Sequence, residues 1–176
     1  ARLTELGHEV VMCEQVEDPK LAKGLVKREV VRVVSPGTLT DAGYLDAREP
    51  AFLMAVSPAG DRTKGRAVGV ALLDLSTGEF TTAEYAGPDG LQALADEIAV
   101  LKPREIIVPT DTPPLPEMAA AAGVPVTPVD AWAFDDERAR RTLLDQLRAG
   151  GLEGFGLDRR PAAVSAAGAL VHYLRA

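Results

Sequence analysis

Phosphodiester cleavage by two metal ions needs several carboxylates converging at strand ends, and Asp74, near the end of an apolar run, is the best-placed residue from which to start such a site. Asp61, Asp130 and Asp135 fall in segments that read as loops, and no second strand offers an inward-facing carboxylate. The simpler expectation is that Asp74 orders its own turn. His8 and His172 are the only histidines, so a Ser/His or Cys/His nucleophilic system has few ways to assemble. Cys13 lies in an apolar strand and reads as a small buried hydrophobe. Nucleotide hydrolysis calls for a phosphate cradle such as G-x-x-x-x-G-K-[ST], and the chain has no Gly-Lys pair. The glycine-dense loop from Gly150 to Gly156 follows a helix instead of opening one after a strand. No catalytic residue and no metal ligand is expected.

Charge offers a second kind of chemistry. The formal net charge of −7 argues against a chain whose main task is to grip phosphates. Its distribution is uneven: Lys20, Lys23, Lys27, Arg28 and Arg32 stand against Glu29 alone between Lys20 and Arg32, and the remainder is correspondingly more acidic. Those five residues are the candidates for contact with a DNA backbone, where released counterions favour binding. A solvated face is the ordinary reading of such a charge run, and composition by itself does not decide between the two.

The elements that would position these groups follow from periodicity. Ala1 to Leu6 reads as a helix closed by Gly7, and its abrupt start suggests that a portion lies upstream. Glu9 to Cys13 and Arg28 to Val34 read as strands, the second with enough valine for a buried face. Ser35-Pro36-Gly37-Thr38 is a turn. Thr38 to Pro50 loses periodicity and suits a segment crossing between domains. Phe52 to Val56, Ala67 to Leu75 and Glu79 to Tyr85 are strands, the last two joined as a hairpin through Ser76-Thr77-Gly78. Ala67 to Leu73 is apolar enough for a strand covered on both faces. Pro88 to Lys102 is a helix, Glu105 to Val108 a strand, Leu115 to Ala122 a small helix and Val124 to Val129 a strand.

Asp135 to Leu147 and Ala162 to Leu174 are amphipathic helices whose apolar faces can both pack on the sheet, with Ala139, Leu143, Leu144 and Leu147 on one face of the first. Phe155 reads as the aromatic anchor of the loop between them. Three antiparallel strands followed by alternating helices and strands match the order of an α/β, ribonuclease-H-like fold with a mixed sheet flanked by helices.

The chain is long enough for a domain of about 130 residues plus part of another. No apolar run approaches the roughly 20 residues of a membrane span, and no stretch has signal-peptide order. One cysteine excludes an intrachain disulfide. A soluble protein of a reducing, cytoplasmic compartment is expected.

The run Cys13-Glu14-Gln15-Val16-Glu17-Asp18-Pro19, followed by Lys23-Gly24-Leu25-Val26-Lys27-Arg28-Glu29-Val30-Val31-Arg32-Val33-Val34-Ser35-Pro36-Gly37-Thr38, closely resembles the end of the mismatch-binding domain of bacterial MutS proteins. Leu73-Asp74-Leu75-Ser76-Thr77-Gly78-Glu79-Phe80 is similar to the connector hairpin of that family. Gly154-Phe155-Gly156 with Ala166-Ala167-Gly168-Ala169-Leu170 resembles its closing loop and helix. The resemblance runs the length of the chain. It implies a remnant of an α/β mismatch-binding domain over residues 1–40, with a linker to about 50, and a connector domain over 41–176.

What the resemblance implies about function follows from that division. The aromatic-x-Glu motif that probes a mispair has no counterpart here and would lie upstream. The lever, clamp and ATPase portions, with their ATP and magnesium, would lie downstream, so the chain itself needs no cofactor. The parent protein would be a homodimeric ATPase that binds mismatched double-stranded DNA. The connector would link mismatch reading to the ATP-dependent switch and dock MutL. The helix Asp135 to Leu147 aligns with a family segment implicated in that docking, and its Arg140, Arg141 and Thr142 are expected to face away from the leucine stripe. Some relatives carry glutamines where Arg141 and Thr142 stand. Two alternatives remain open: a metal-dependent ribonuclease-H-like nuclease using Asp74, and a simple DNA-backbone-binding module using the basic stretch.

Overall fold

A computed structural model describes residues 2–18, 24–38, 50–59, 67–110, 120 and 122–175. It divides them into a small antiparallel hairpin and a mixed α/β sheet with helices. The first helix, α1 (Arg2–Glu5), leads through Gly7, at φ 84, into β1 (Val10–Gln15), which pairs antiparallel with β2 (Arg28–Val34). Most of the crossing segment expected over Thr38 to Pro50, and most of the small helix expected over Leu115 to Ala122, lies outside the described residues.

The larger sheet contains β3 (Phe52–Ala59), β4 (Ala67–Asp74), β5 (Phe80–Ala86), β6 (Glu105–Pro109) and β7 (Val126–Val129), in the spatial order β5-β4-β3-β6-β7. β5, β4 and β3 are antiparallel, whereas β6 and β7 run parallel to β3. Alternation along the strands decides what each face buries. Leu53, Ala55, Ala71 and Ile107 point to one side, while Met54, Val56, Val70, Ile106 and Val108 point to the other. Both sets are buried, which is why these strands read as nearly continuous apolar runs.

Helix α2 (Gly90–Leu101) covers the second side with Leu94 and Ile98. It stops at Lys102, which takes the left-handed conformation at φ 45 and donates its N–H to the Ile98 carbonyl, and Pro103 follows. The first side is covered by α4 (Pro161–Arg175), an alanine-rich helix whose small side chains allow close approach to the sheet. The preceding helix, α3 (Asp136–Leu147), is N-capped by Asp135, whose side chain accepts from the Arg138 N–H at 3.1 Å. It packs on α4 and on the 3-10 turn Ala131–Phe134, so it forms an outer layer instead of lying on the sheet as expected. Of its leucine stripe only Leu143 joins Ala139 in full burial; Leu144 is half-buried and Leu147 is exposed.

Three further expectations are corrected. Cys13 is exposed, and β2 is exposed along its length except for Val34 at its end, because no further layer covers the body of the hairpin among the described residues. Phe155 is also exposed, and the loop is anchored by Leu152, which has no exposed surface, and by Leu157.

Candidate functional site

The basic stretch and the outer helix are the two surfaces to which the sequence assigns binding. Lys20 and Lys23 lie outside the described residues. Lys27 is already engaged: its ammonium is 2.5 Å from Glu29 Oε1, and its backbone N–H donates to Glu17 Oε2 at 3.1 Å. Arg28 and Arg32 are exposed on β2, but a bulge separates them. Met12 pairs with Arg32, whereas the next residue, Cys13, pairs with Val30, leaving Val31 as the extra residue on β2. Paired residues share a face and the unbulged β1 alternates regularly, so Arg32 lies on the face of Val10 and Met12 while Arg28 lies on the face of Val11 and Cys13. Regular alternation would have put both arginines on one face. The bulge divides them and leaves Val11, Val30 and Val33 exposed together on the face of Arg28.

On α3, burial of Ala139 and Leu143 sets the rotation of the helix. Gly168 of α4 makes this possible, because a Cβ there would sit 2.3 Å from Ala139 Cα. At 100° per residue Arg141 falls opposite the buried line and is exposed, whereas Arg140 and Thr142 flank it and are half-buried. Arg140 does not point freely outward as expected: its guanidinium lies 3.9 Å from Glu153 in the glycine loop, and the side chains are 42% and 68% exposed. An ion pair this open contributes little to stability, but it orients the arginine. Arg138, one turn before Thr142, stacks over the Trp132 ring at 5.4 Å, and Trp132 meets His172 edge-on at 4.7 Å.

Beside this helix runs a groove of about 690 Å³, walled by Leu73 and Phe80 of the sheet, Leu147 of α3, Phe155 of the loop and Val171 and Leu174 of α4. Sequence reasoning missed it. Its one available signal was the combination of Leu147 and Phe155, each expected to be buried and each instead standing at a lip of the groove.

Asp74 is fully occupied by its own turn and by the backbone entering the neighbouring strand. Oδ1 accepts from the N–H of Ala51 at 3.1 Å, the N–H of Ser76 at 2.9 Å and the Ser76 hydroxyl at 2.7 Å, while Oδ2 accepts from the Thr77 hydroxyl at 3.0 Å. Burial of the carboxyl opposes ionisation, but the bonds from Ser76, Ala51 and Thr77 outweigh it and hold the pKa down at about 2, against an ordinary 3.8. Among the described residues no three His, Cys, Asp or Glu side chains are grouped to hold a metal ion.

A depressed carboxylate pKa stabilises the fold above the unfolded value, and that stabilisation disappears as pH falls through the folded one. Asp74→Asn is therefore expected to lower stability at neutral pH by about 2 kcal/mol, the scale of hydrogen bonds to a charged group. In chemical denaturation at a series of pH values, its deficit against the parent chain shrinks as pH falls from about 4 to about 2.

Comparison with known families assigns the two parts separately. Residues 51–176 match the family model described as MutS domain II, and residues 1–43 match that of MutS domain I. The chain is 41% identical over 178 aligned residues, covering 100% of itself and 19% of the relative, to the DNA mismatch repair protein MutS of Syntrophobacter fumaroxidans. It is 43% identical to that of Symbiobacterium thermophilum, covering 99% of itself and 20% of the relative. The chain thus spans about a fifth of the length of these curated relatives. Among solved structures, YeaZ from Pseudomonas aeruginosa superposes with a TM-score of 0.34 at 18% identity over 55% of this chain and 49% of its own, a likeness too slight to assign the fold. Two adjoining family matches, with more than 40% identity from end to end, place one conclusion beyond the reach of either surface alone: the chain belongs to the MutS family of DNA mismatch repair proteins.

Proposed function

We propose that this chain is a coupling module of a mismatch-recognition protein, with residues 1–40 as the end of the mismatch-binding domain and 41–176 as a ribonuclease-H-like connector. The antiparallel β5-β4-β3 group extended by parallel β6 and β7 supports the connector reading. In this reading the parent is a cytoplasmic homodimer that binds mismatched double-stranded DNA and uses ATP and magnesium in a part beyond this chain. The connector relays the state of the DNA-reading end and docks MutL when its outer surface is uncovered.

The observation that carries the docking role is the outer face of α3. A capped helix, held in rotation by Ala139 against Gly168, presents Arg141 to solvent with Arg140 and Thr142 beside it and an apolar groove along its edge. Arginine on a rigid support next to apolar area is the composition from which interface hot spots are built. DNA contact is assigned to Lys20, Lys23, Lys27, Arg28 and Arg32 as a secondary, backbone-directed contribution. The division of Arg28 from Arg32 by the bulge weighs against these residues forming a single phosphate grip by themselves.

The test is a titration of the chain against the N-terminal domain of its cognate MutL, with homoduplex and mismatched DNA run in parallel. Saturable MutL binding that weakens about tenfold on Arg141→Glu is expected, since loss of one interface anchor costs on the order of 1–2 kcal/mol. Absence of MutL binding by the folded chain overturns the docking role.

A further inference from the structure

We propose that Glu105 is a latch: its carboxylate pins the Ser35-Pro36-Gly37-Thr38 turn to the five-stranded sheet, so that the β1-β2 hairpin and the sheet move as one body. Glu105 opens β6 with no exposed surface, in a register position where an apolar residue would be expected. Burying a carboxylate is costly unless its lone pairs are used, and here each oxygen accepts two hydrogen bonds. Oε2 accepts from the Ser35 hydroxyl at 2.6 Å and from the Gly37 N–H at 2.7 Å. Oε1 accepts from the Tyr173 hydroxyl at 2.9 Å and from the Thr127 hydroxyl. One side chain thus joins the end of the hairpin to β6, β7 and α4.

The turn is shaped to meet it. Thr38 Oγ1 accepts from the Ser35 N–H at 2.8 Å, and the Thr38 N–H donates to the Ser35 carbonyl at 3.2 Å, which closes the turn on itself. Gly37 must lack a side chain, because a Cβ there would lie 2.6 Å from Glu105 Oε2 and 2.5 Å from Leu53 Cδ1. β1 and β2 pack chiefly on each other, so this buried joint fixes their orientation toward the sheet. Removing the Ser35 hydroxyl and crowding the turn with a Cβ at Gly37 releases the hairpin from the turn side, whereas replacing the Glu105 acceptor loosens both sides at once. The proposal concerns the joint itself and stands whether or not MutL binds.

Cys13, exposed on β1, is the only cysteine and accepts a spin label directly; Asp145→Cys on the exposed side of α3 supplies the second. Pulsed distance measurement on the doubly labelled chain is expected to give one narrow distribution. Ser35→Ala combined with Gly37→Ala should broaden it about twofold or more while circular dichroism shows the sheet intact, and Glu105→Gln should do the same. A distribution as narrow and as centred as the parent's in the folded turn variant overturns the proposal. That variant decides the matter even where Glu105→Gln does not fold.

Discussion

Gly69→Val is expected to cost about 3 kcal/mol or more of stability, the upper range for forcing volume into a packed interior. Gly69 lies in β4 beneath the first turn of α4, and a Cβ there would sit 1.9 Å from the Ala162 carbonyl oxygen and 2.5 Å from the Ala163 nitrogen. The obstacle is helix backbone, which cannot rotate aside as a side chain can. Relief requires lifting α4 from the sheet and would uncover Ala163, Ala166 and Leu170 together. Directly across the strand pair from Gly69 stands Glu84, whose carboxylate accepts from the Ala163 N–H at 3.1 Å. The same pair of strands therefore admits the helix and caps its N-terminus, where negative charge is favoured. Thermal denaturation should show Tm falling by about 6–12 °C for a chain of this size. Gly24→Ala, where nothing lies within 4 Å of the added carbon, is the control and should change stability by less than about 0.5 kcal/mol. A Gly69→Val chain as stable as that control would show that α4 does not sit where it has been placed.

Leu152→Ala should lower stability by about 3 kcal/mol, whereas Phe155→Ala, three residues on, should change it by less than about 0.5 kcal/mol. Leu152 has no exposed surface and belongs to the cluster formed by Ala139, Leu143 and Leu170, so truncation leaves a cavity among atoms that cannot collapse to fill it. Phe155 is 53% exposed at the lip of the groove. Urea titrations of both variants measure the difference. A larger loss for Phe155→Ala would mean that the loop is anchored by its aromatic residue after all. Under the docking reading Phe155→Ala weakens binding instead of folding, which separates the two roles of this loop.

Much of the fold is local and was legible in the sequence. Among the described residues, the seven strands follow from apolar and β-branched runs bounded by turn residues such as Ser76-Thr77-Gly78, organised by Asp74, and the three long helices from a period of 3.6 and from Pro103 after α2. Asp74 reads as a turn residue from the sequence because the hydroxyls and amides that satisfy it lie within three positions of it or enter with the adjoining strand. Boundaries drifted by a residue or two at most ends, as fraying and end-capping lead one to expect.

What the sequence could not determine depends on neighbours distant along the chain. The shift that separates Arg28 from Arg32 depends on how β1 pairs with β2, and neither strand alone marks the bulge. Leucine periodicity in α3 states that an apolar stripe exists, but the width of its buried part depends on Gly168 of α4, 29 residues beyond Ala139. The role of Glu105 was invisible for the same reason, since its donors come from Ser35, Gly37, Thr127 and Tyr173. Local propensity and family motifs follow from the order of residues in the chain, whereas register, helix rotation and the satisfaction of a buried charge are properties of pairs, fixed only when distant segments compete for the same space and the same lone pairs.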